Sequence, residues 1–364
     1  MTHPRIRRYP HHQDYATPAE YRPFVMFTNV TNYRSKSLNT DGLGMRRQFD
    51  GTGREIDLQR ARSVYDRCNV LIGNSTAYGV DATSDAKTVN NYLNRDDVPC
   101  LNLSIRGATS QQELSLFLNM NRFLPPIDNV VLLSGVINVS LAALKATLFY
   151  PEFGAIFSEK EFSRIFHNNY ERFNSVKEQR ILAQMKEDVE RWYDLYPLLR
   201  RWAGRRYRAR AAEQGTTPDY TFDDKRRIMS DVLRNDLRTW GMLQSGGRMK
   251  VHYVLQPVMF WTEKRLTSLE RSIWNADCKV ASSLPDFANP TTYRLVRDET
   301  QQACRDAGIE FHDANPWFND VRIAREEIFT DSCHLTDAGY RFLGEEIRAR
   351  LRWHTSSGLK AKAA

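Results

Sequence analysis

No apolar stretch of this 364-residue chain approaches the roughly 18 residues that a membrane-crossing helix needs. The opening residues, MTHPRIRRYPHHQDY, are basic but carry no apolar core, so they do not read as a secretory signal. Cysteine is scarce. Cys68, Cys100, Cys278, Cys304 and Cys333 lie far apart with no Cys-x-x-Cys, which gives no zinc pattern. Their odd number suits free thiols in a reducing compartment, and the expectation is a cytoplasmic protein. No internal repeat, no nucleic-acid motif and no low-complexity run beyond the GLKAKAA tail is evident.

What is present suits an enzyme-sized core: 41% hydrophobic and 11% aromatic residues argue against wholesale disorder. The formal net charge is +8, unevenly spread. The stretch RRWAGRRYRAR holds Arg200, Arg201, Arg205, Arg206, Arg208 and Arg210 and no acid. Such a stripe fits nucleic acid, an anionic membrane surface, an acidic protein partner or a plain solvated helix face.

Residues 1–60 have weak periodicity and turn signals, and read as an extension packed on the core. A strand–loop–helix pattern follows over 61–154 and 246–355. Strands are expected at Val70–Ile72, Cys100–Leu103, Asn129–Leu133, 251–258 and 308–313, and a helix carrying Tyr340, Leu343, Ile347 and Leu351 closes the pattern. Apolar strands alternating with helices indicate a mainly parallel sheet covered on both faces. Residues 155–245 carry no strand signal and read as a basic helical insertion, a candidate cap; 356–364 reads as a tail. An aromatic series in and before it (Phe149, Tyr150, Phe153, Phe157, Phe162, Phe166) is either core or an acyl-chain site.

The stretch LIGNSTAYGVDATSD ends the first strand at Gly73 and sets Asn74, Ser75 and Thr76 at what would be the carboxyl edge of the sheet. Each of the three can cap a helix, and Ser75 can also be a nucleophile, since open α/β sheets bind ligands at that edge. Gly-x-Ser-x-Gly is not satisfied, because Ala77 stands two residues after Ser75. A general base must come from elsewhere. His3, His11 and His12 sit in the extension, His354 in the tail, and His167 and His252 have no acid within three residues. His312 and Asp313 follow the fifth strand, as pocket lining or as a structural turn. His334 has Asp331 three residues before it, just ahead of the last helix. In a turn that spacing lets the carboxylate reach one imidazole nitrogen and leaves the other for a serine. The same residues also fit a helix-entry turn capped by Thr336 or Asp337. Cys333 has no base of its own and is given no catalytic role.

These stretches resemble the conserved blocks of the SGNH/GDSL hydrolases, in family order. Ser75 after the first strand is similar to block I, LNLSIRGATSQQEL to block II, VVLLSGVINVSLA to block III, and Asp331-x-x-His334 with LTDAGYRFLGEEI to block V. FGAIFSEKEF and VLQPVMFWTEKRLTSLE are similar to a bacterial branch that includes a group named "inducer of phenazine". The resemblance implies a three-layer α/β/α, flavodoxin-like domain with about five parallel strands. It implies a Ser75–His334–Asp331 triad, an oxyanion hole from the Ser75 and Gly107 backbone N–H groups and an asparagine side chain, and no metal or organic cofactor. Two departures stand out. Asn74 replaces the usual aspartate, and the block III asparagine slot holds Ile137, with Asn138 one residue late. The expectation is that the loop after the third strand bulges so that Asn138, not Ile137, faces Ser75 and completes the oxyanion hole; losing such a donor costs about 10²–10³ in rate.

The function expected from the resemblance is ester or thioester hydrolysis or acyl transfer through an acyl-enzyme. The acyl group would be small, lipid or carrier-bound. An acidic acyl carrier protein would meet the arginine stripe, with a phospholipid or coenzyme A thioester second. The alternatives are a catalytically degenerate SGNH-fold regulator or scaffold and a basic nucleic-acid-binding protein; the absence of any nucleic-acid motif weighs against the latter.

Overall fold

The computed structural model describes residues 3–94, 98–145, 147–160, 162–167, 220–247 and 249–353. The strands are β1 (Ala19–Arg22), β2 (Met26–Asn29), β3 (Cys68–Gly73), β4 (Cys100–Asn102), β5 (Ile127–Ser134), β6 (Thr147–Tyr150), β7 (Ala155–Ser158), β8 (Lys250–Leu255) and β9 (Glu310–Asp313). The helices are α1 (Pro4–Arg8), α2 (Ala61–Val64), α3 (Ser75–Tyr78), α4 (Val89–Leu93), α5 (Ser110–Met120), α6 (Val136–Ala143), α7 (Phe222–Gly246), α8 (Ser268–Val280), α9 (Leu284–Phe287), α10 (Pro290–Asp306) and α11 (Asp337–Arg350).

Five strands form one all-parallel sheet in the order β4-β3-β5-β8-β9, so each of the five expected strands is present. Alternation of side chains along the strands decides the two layers. Val70, Ile72, Val130, Leu132, Val251 and Tyr253 face one side, where they meet Phe117 of α5, Val139 of α6, Trp240 of α7 and Val296 of α10. Leu71, Val131, Leu133 and Val254 face the other, against Val89 and Leu93 of α4 and Tyr340, Leu343 and Ile347 of α11. Counted from β3, the order is 2-1-3-4-5, the doubly wound arrangement whose ligand crevice lies where the winding reverses, between β3 and β5.

The residues before β3 supply core as well as cover: Val25, Met45, Ile56 and Leu58 are buried in the first cluster. Two hairpins were not legible in the sequence, β1–β2 and β6–β7, each of two four-residue antiparallel strands. The second corrects the expected strandless stretch at its start, since Ala155–Ser158 is β7. The segment Lys160–Thr221 is separate from the unit that holds the sheet, whereas α7 belongs to that unit and not to an insertion. Its many charges hide a core stripe of Met229, Leu237 and Trp240, and the Trp240 ring lies 4.6 Å from that of Phe117. Among the described residues, no helix is long and apolar enough to cross a membrane.

Candidate active site

At the end of β3 the chain passes so close to β5 that a Cβ on Gly73 would stand 2.1 Å from the Leu133 carbonyl oxygen; only glycine fits. Asn74 then caps α3, its Oδ1 accepting the Thr76 N–H at 3.2 Å. Ser75 is the first residue of that helix and is 7% exposed. Capping thus falls to Asn74 and not to Ser75, the candidate nucleophile beside it. A buried chain of hydrogen bonds fixes this turn against the Asp-x-x-His turn. Asn74 Nδ2 donates to Gln256 Oε1 (2.6 Å), Gln256 Nε2 donates to Thr76 Oγ1 (2.8 Å), and the Thr76 hydroxyl donates to the Cys333 carbonyl (3.0 Å). The residue after Ser75 therefore touches the residue before His334.

Within the second turn, Asp331 Oδ1 accepts the backbone N–H groups of Cys333 and His334 at 2.9 and 2.8 Å, and Oδ2 accepts His334 Nδ1–H at 2.6 Å. This leaves His334 Nε2 buried, with no hydrogen-bond partner among the described residues, the Ser75 hydroxyl included. Thr336 caps α11, so the helix-entry reading also holds. Burial alone would raise the Asp331 carboxyl; the Arg5 guanidinium and His334 outweigh it and hold it well below its ordinary range. Cys333 stays a thiol, pushed well up by burial.

Arg5 is a residue the sequence did not reveal. Its Nη1 lies 2.5 Å from Asp331 Oδ2, and Nε and Nη2 donate to Asp81 Oδ2 at 3.0 and 2.6 Å. Nη2 is also 3.4 Å from His334 Nδ1, a proximity and not a bond once Nδ1 carries the proton to Asp331. Around it, His12 Nδ1 meets Asp81 Oδ1 at 2.7 Å, His11 Nε2 meets the Asp81 carbonyl at 2.9 Å, and His3 Nε2 meets Asp277 Oδ1 at 3.2 Å. Asp81 is held low by His12 and Arg5 against its burial, while burial and the Asp331 charge push Asp277 up to about 7. The N-terminal segment is thus built into the site. No local signal links Arg5 to a turn more than 300 residues away; Gln256, directly after β8 at the carboxyl edge, was the findable one.

Gly107, the expected oxyanion donor, adopts φ +72, a conformation that residues other than glycine rarely take. Neither its N–H nor that of Ser75 has a protein acceptor among the described residues. Arg106, just before it, donates to Asn29 Oδ1, to the Tyr15 carbonyl and to both oxygens of Thr17. The expected bulge after β5 is not there. Register with β8 is unbroken through Ser134, and α6 starts directly after Gly135. Asn138 faces α5 instead: its Nδ2 donates to Ser110 Oγ (3.0 Å) and its Oδ1 accepts the Ser110 N–H (3.2 Å), while Ser110 Oγ donates to Asp236 (2.6 Å). The physical reason is that Gly135, at φ +119, turns the chain straight into α6 with no extra residue to rotate Asn138 toward Ser75.

Other candidates resolve simply. Asp313 accepts from Tyr293 Oη and from Asn315, so it holds a structural turn. Of the aromatic series, Phe149 is buried, whereas Tyr150 and Phe153 are exposed. Arg200, Arg201, Arg205, Arg206, Arg208 and Arg210 lie outside the described residues.

Serine after the first strand, the Gly107 loop after the second, Gly135 after the third and Asp-x-x-His before the last helix all meet one edge of a 2-1-3-4-5 sheet. The fold is a three-layer α/β/α domain on a doubly wound parallel sheet. No protein-family model matches the chain, and no curated protein matches it significantly. Solved structures similar to it include a member of the lipolytic protein G-D-S-L family from Veillonella parvula DSM 2008, at 11% identity and TM-score 0.39, covering 78% of this chain and 100% of that one. A lipase/acylhydrolase from Enterococcus faecalis is similar at 15% identity and TM-score 0.38, covering 80% and 100%. An extracellular lipase from Streptomyces rimosus is similar at 11% identity and TM-score 0.41, covering 77% and 97%.

Proposed function

We propose that this protein is an SGNH-type serine hydrolase or acyltransferase acting on an ester or thioester. The observation that carries the reading is the Asp331–His334 pair, whose outer nitrogen is buried and unpartnered one hydrogen-bonded step from the Ser75 turn. Ser75 Oγ attacks the acyl carbonyl while His334 Nε2 takes its proton, and Asp331 holds the ring and stabilises the imidazolium. The Ser75 and Gly107 N–H groups receive the developing oxyanion. His334 then returns the proton to the leaving alcohol or thiol, and water or an acceptor alcohol or amine releases the acyl group. Apo geometry between serine and histidine is commonly loose and tightens on substrate binding.

Labelling with a fluorophosphonate, followed by mass spectrometry of the modified peptide, tests this. Modification of Ser75, lost in His334→Ala, is expected. A correctly folded protein that takes no label, or takes it elsewhere, refutes the reading. The commitment of Asn138 to Ser110 favours a second reading, a catalytically degenerate member that binds without turnover. A missing oxyanion donor leaves a slow enzyme as well, so the labelling rate separates the two. We further propose that the arginine stripe at 200–210 recruits an anionic acyl donor, an acidic carrier protein first. That attraction would weaken steeply with salt as the Debye length falls from about 10 Å at 0.1 M to about 3 Å at 1 M.

A further inference from the structure

Parallel strands covered on both faces are apolar almost throughout, and Leu71, Val131 and Val254 obey this on the face packed by α11. Three residues on that same face do not: His252 of β8 and Glu310 and His312 of β9. They lie upstream of the Ser75 edge and take no part in its chemistry. His252 pairs directly with Glu310 across the two strands, and Val254 pairs with His312, so the sheet register brings all three together.

His252 has no exposed side-chain surface. Its Nε2 lies 3.4 Å from Asn129 Oδ1, and Asn129 Nδ2 in turn donates to Asn69 Oδ1 at 2.7 Å, which orients the amide with its oxygen toward the ring. The proton therefore belongs on Nε2, and the Nδ1 lone pair is left facing Glu310 Oε2 at 3.7 Å with no hydrogen-bond donor. His312 Nε2 is likewise buried without a hydrogen bond, although it lies 3.1 Å from Glu310 Oε1. One ligand atom from each of the three residues lies within 4.8 Å of the others. Two buried imidazole nitrogens without hydrogen bonds and a carboxylate, gathered within 4.8 Å, have a common complement, a cation.

We propose that His252 Nδ1, His312 Nε2 and Glu310 Oε1 form a site for a divalent transition metal of the zinc type, separate from the serine site. Two imidazoles and one carboxylate suit Zn²⁺, and three protein ligands leave a fourth position for water. Asn129 is the outer partner that fixes the His252 tautomer, as such ligands require. Lys250 Nζ lies 2.5 Å from Glu310 Oε2 and donates to the Arg352 carbonyl at 3.0 Å. It occupies Oε2 and leaves Oε1, the oxygen nearest His312, for the metal, so Glu310 binds through one oxygen only. Its charge also opposes the incoming cation and holds affinity down. The metal ties edge strand β9 to β8; its contribution is to stability and not to the serine chemistry.

The test uses the full, tag-free chain dialysed against chelator and titrated with Zn²⁺ by calorimetry, and with Co²⁺ by visible absorption. One equivalent is expected to bind, with Co²⁺ bands of a four- or five-coordinate site and a melting temperature raised by about 5 °C at saturation. Glu310→Gln and His312→Ala should each weaken binding at least about tenfold, whereas His334→Ala should leave it unchanged. Lys250→Met should tighten binding several-fold, which a purely structural role for this cluster does not predict. Glu310→Gln is nearly isosteric and serves as the decisive variant where His312→Ala fails to fold. Absence of stoichiometric binding overturns the proposal. So does binding that survives both substitutions, or that is lost only in His334→Ala.

Discussion

Glu113 sits on α5, 3% exposed, its Oε1 accepting the Ser134 hydroxyl at 2.7 Å just below the carboxyl edge of the sheet. Burial, with a smaller push from the Asp236 charge, raises its carboxyl to about 8. In the unfolded chain the same group titrates near its ordinary value of about 4.3. The folded state therefore holds a proton that the unfolded state has released, across the whole window from about pH 4 to about pH 8. Each pH unit in that window costs about 1.4 kcal/mol, so the stability fully present below pH 4 falls by about 5 kcal/mol by pH 8 and no further above it. Glu113→Gln keeps an oxygen for Ser134 and removes the titration. Urea unfolding of both proteins at half-unit steps from pH 4 to 9 isolates the effect, because other titrating groups cancel in the difference. The difference should grow in favour of the variant by several kcal/mol as pH rises, then level near pH 8. Parallel curves would show that Glu113 is already ionised in the fold, and the argument from burial would be wrong.

Ser75→Ala, His334→Ala and the double variant should reach nearly the same residual rate on p-nitrophenyl acetate or a longer ester, since members of one catalytic unit are not additive; multiplicative losses would separate the two residues. Asn138→Ala breaks the exchange with Ser110 and should cost about 1–2 kcal/mol in unfolding free energy with less than about a tenfold rate change. A hundredfold fall in kcat at unchanged stability would instead place its amide on the oxyanion. Arg5→Gln should loosen residues 3–15, seen as faster amide exchange there. It should also raise the Asp331 carboxyl toward its usual range, read by NMR titration; unchanged exchange and an unmoved Asp331 would deny Arg5 its anchoring role. Arginine-to-glutamine replacement across 200–210 should raise KM for an anionic acyl donor and spare a small neutral ester. Equal KM values for both substrates, at low and high salt, would end the carrier proposal.

The core strands and the Asp-x-x-His turn were legible because their signals are local. Val70–Ile72 and Asn129–Leu133 are apolar runs of strand length, and Asp331 and His334 are close enough that one turn closes their hydrogen bond. The hairpins β1–β2 and β6–β7 were not, because four-residue strands beside turns carry too little periodicity. Helix α7 passed for an insertion because charges outnumber its buried face of Met229, Leu237 and Trp240. Asn138 shows the limit from the other side. Its place in the order of blocks could be read, but the direction of its side chain follows from the way α6 starts, which only backbone geometry fixes.

By itself, then, the sequence determined the alternation of buried strands and helices, and with it a parallel sheet whose carboxyl edge collects Ser75, Gly107 and the Asp331–His334 turn. Tertiary structure alone decided what those groups face. Arg5 reaches Asp331, Gln256 couples the two turns, and His252 meets Glu310 and His312, in each case across tens to hundreds of residues. The reason is physical. Periodicity and capping are set by neighbours along the chain, whereas the charge and hydrogen bonds a side chain finds are set by whatever the folded layers bring against it.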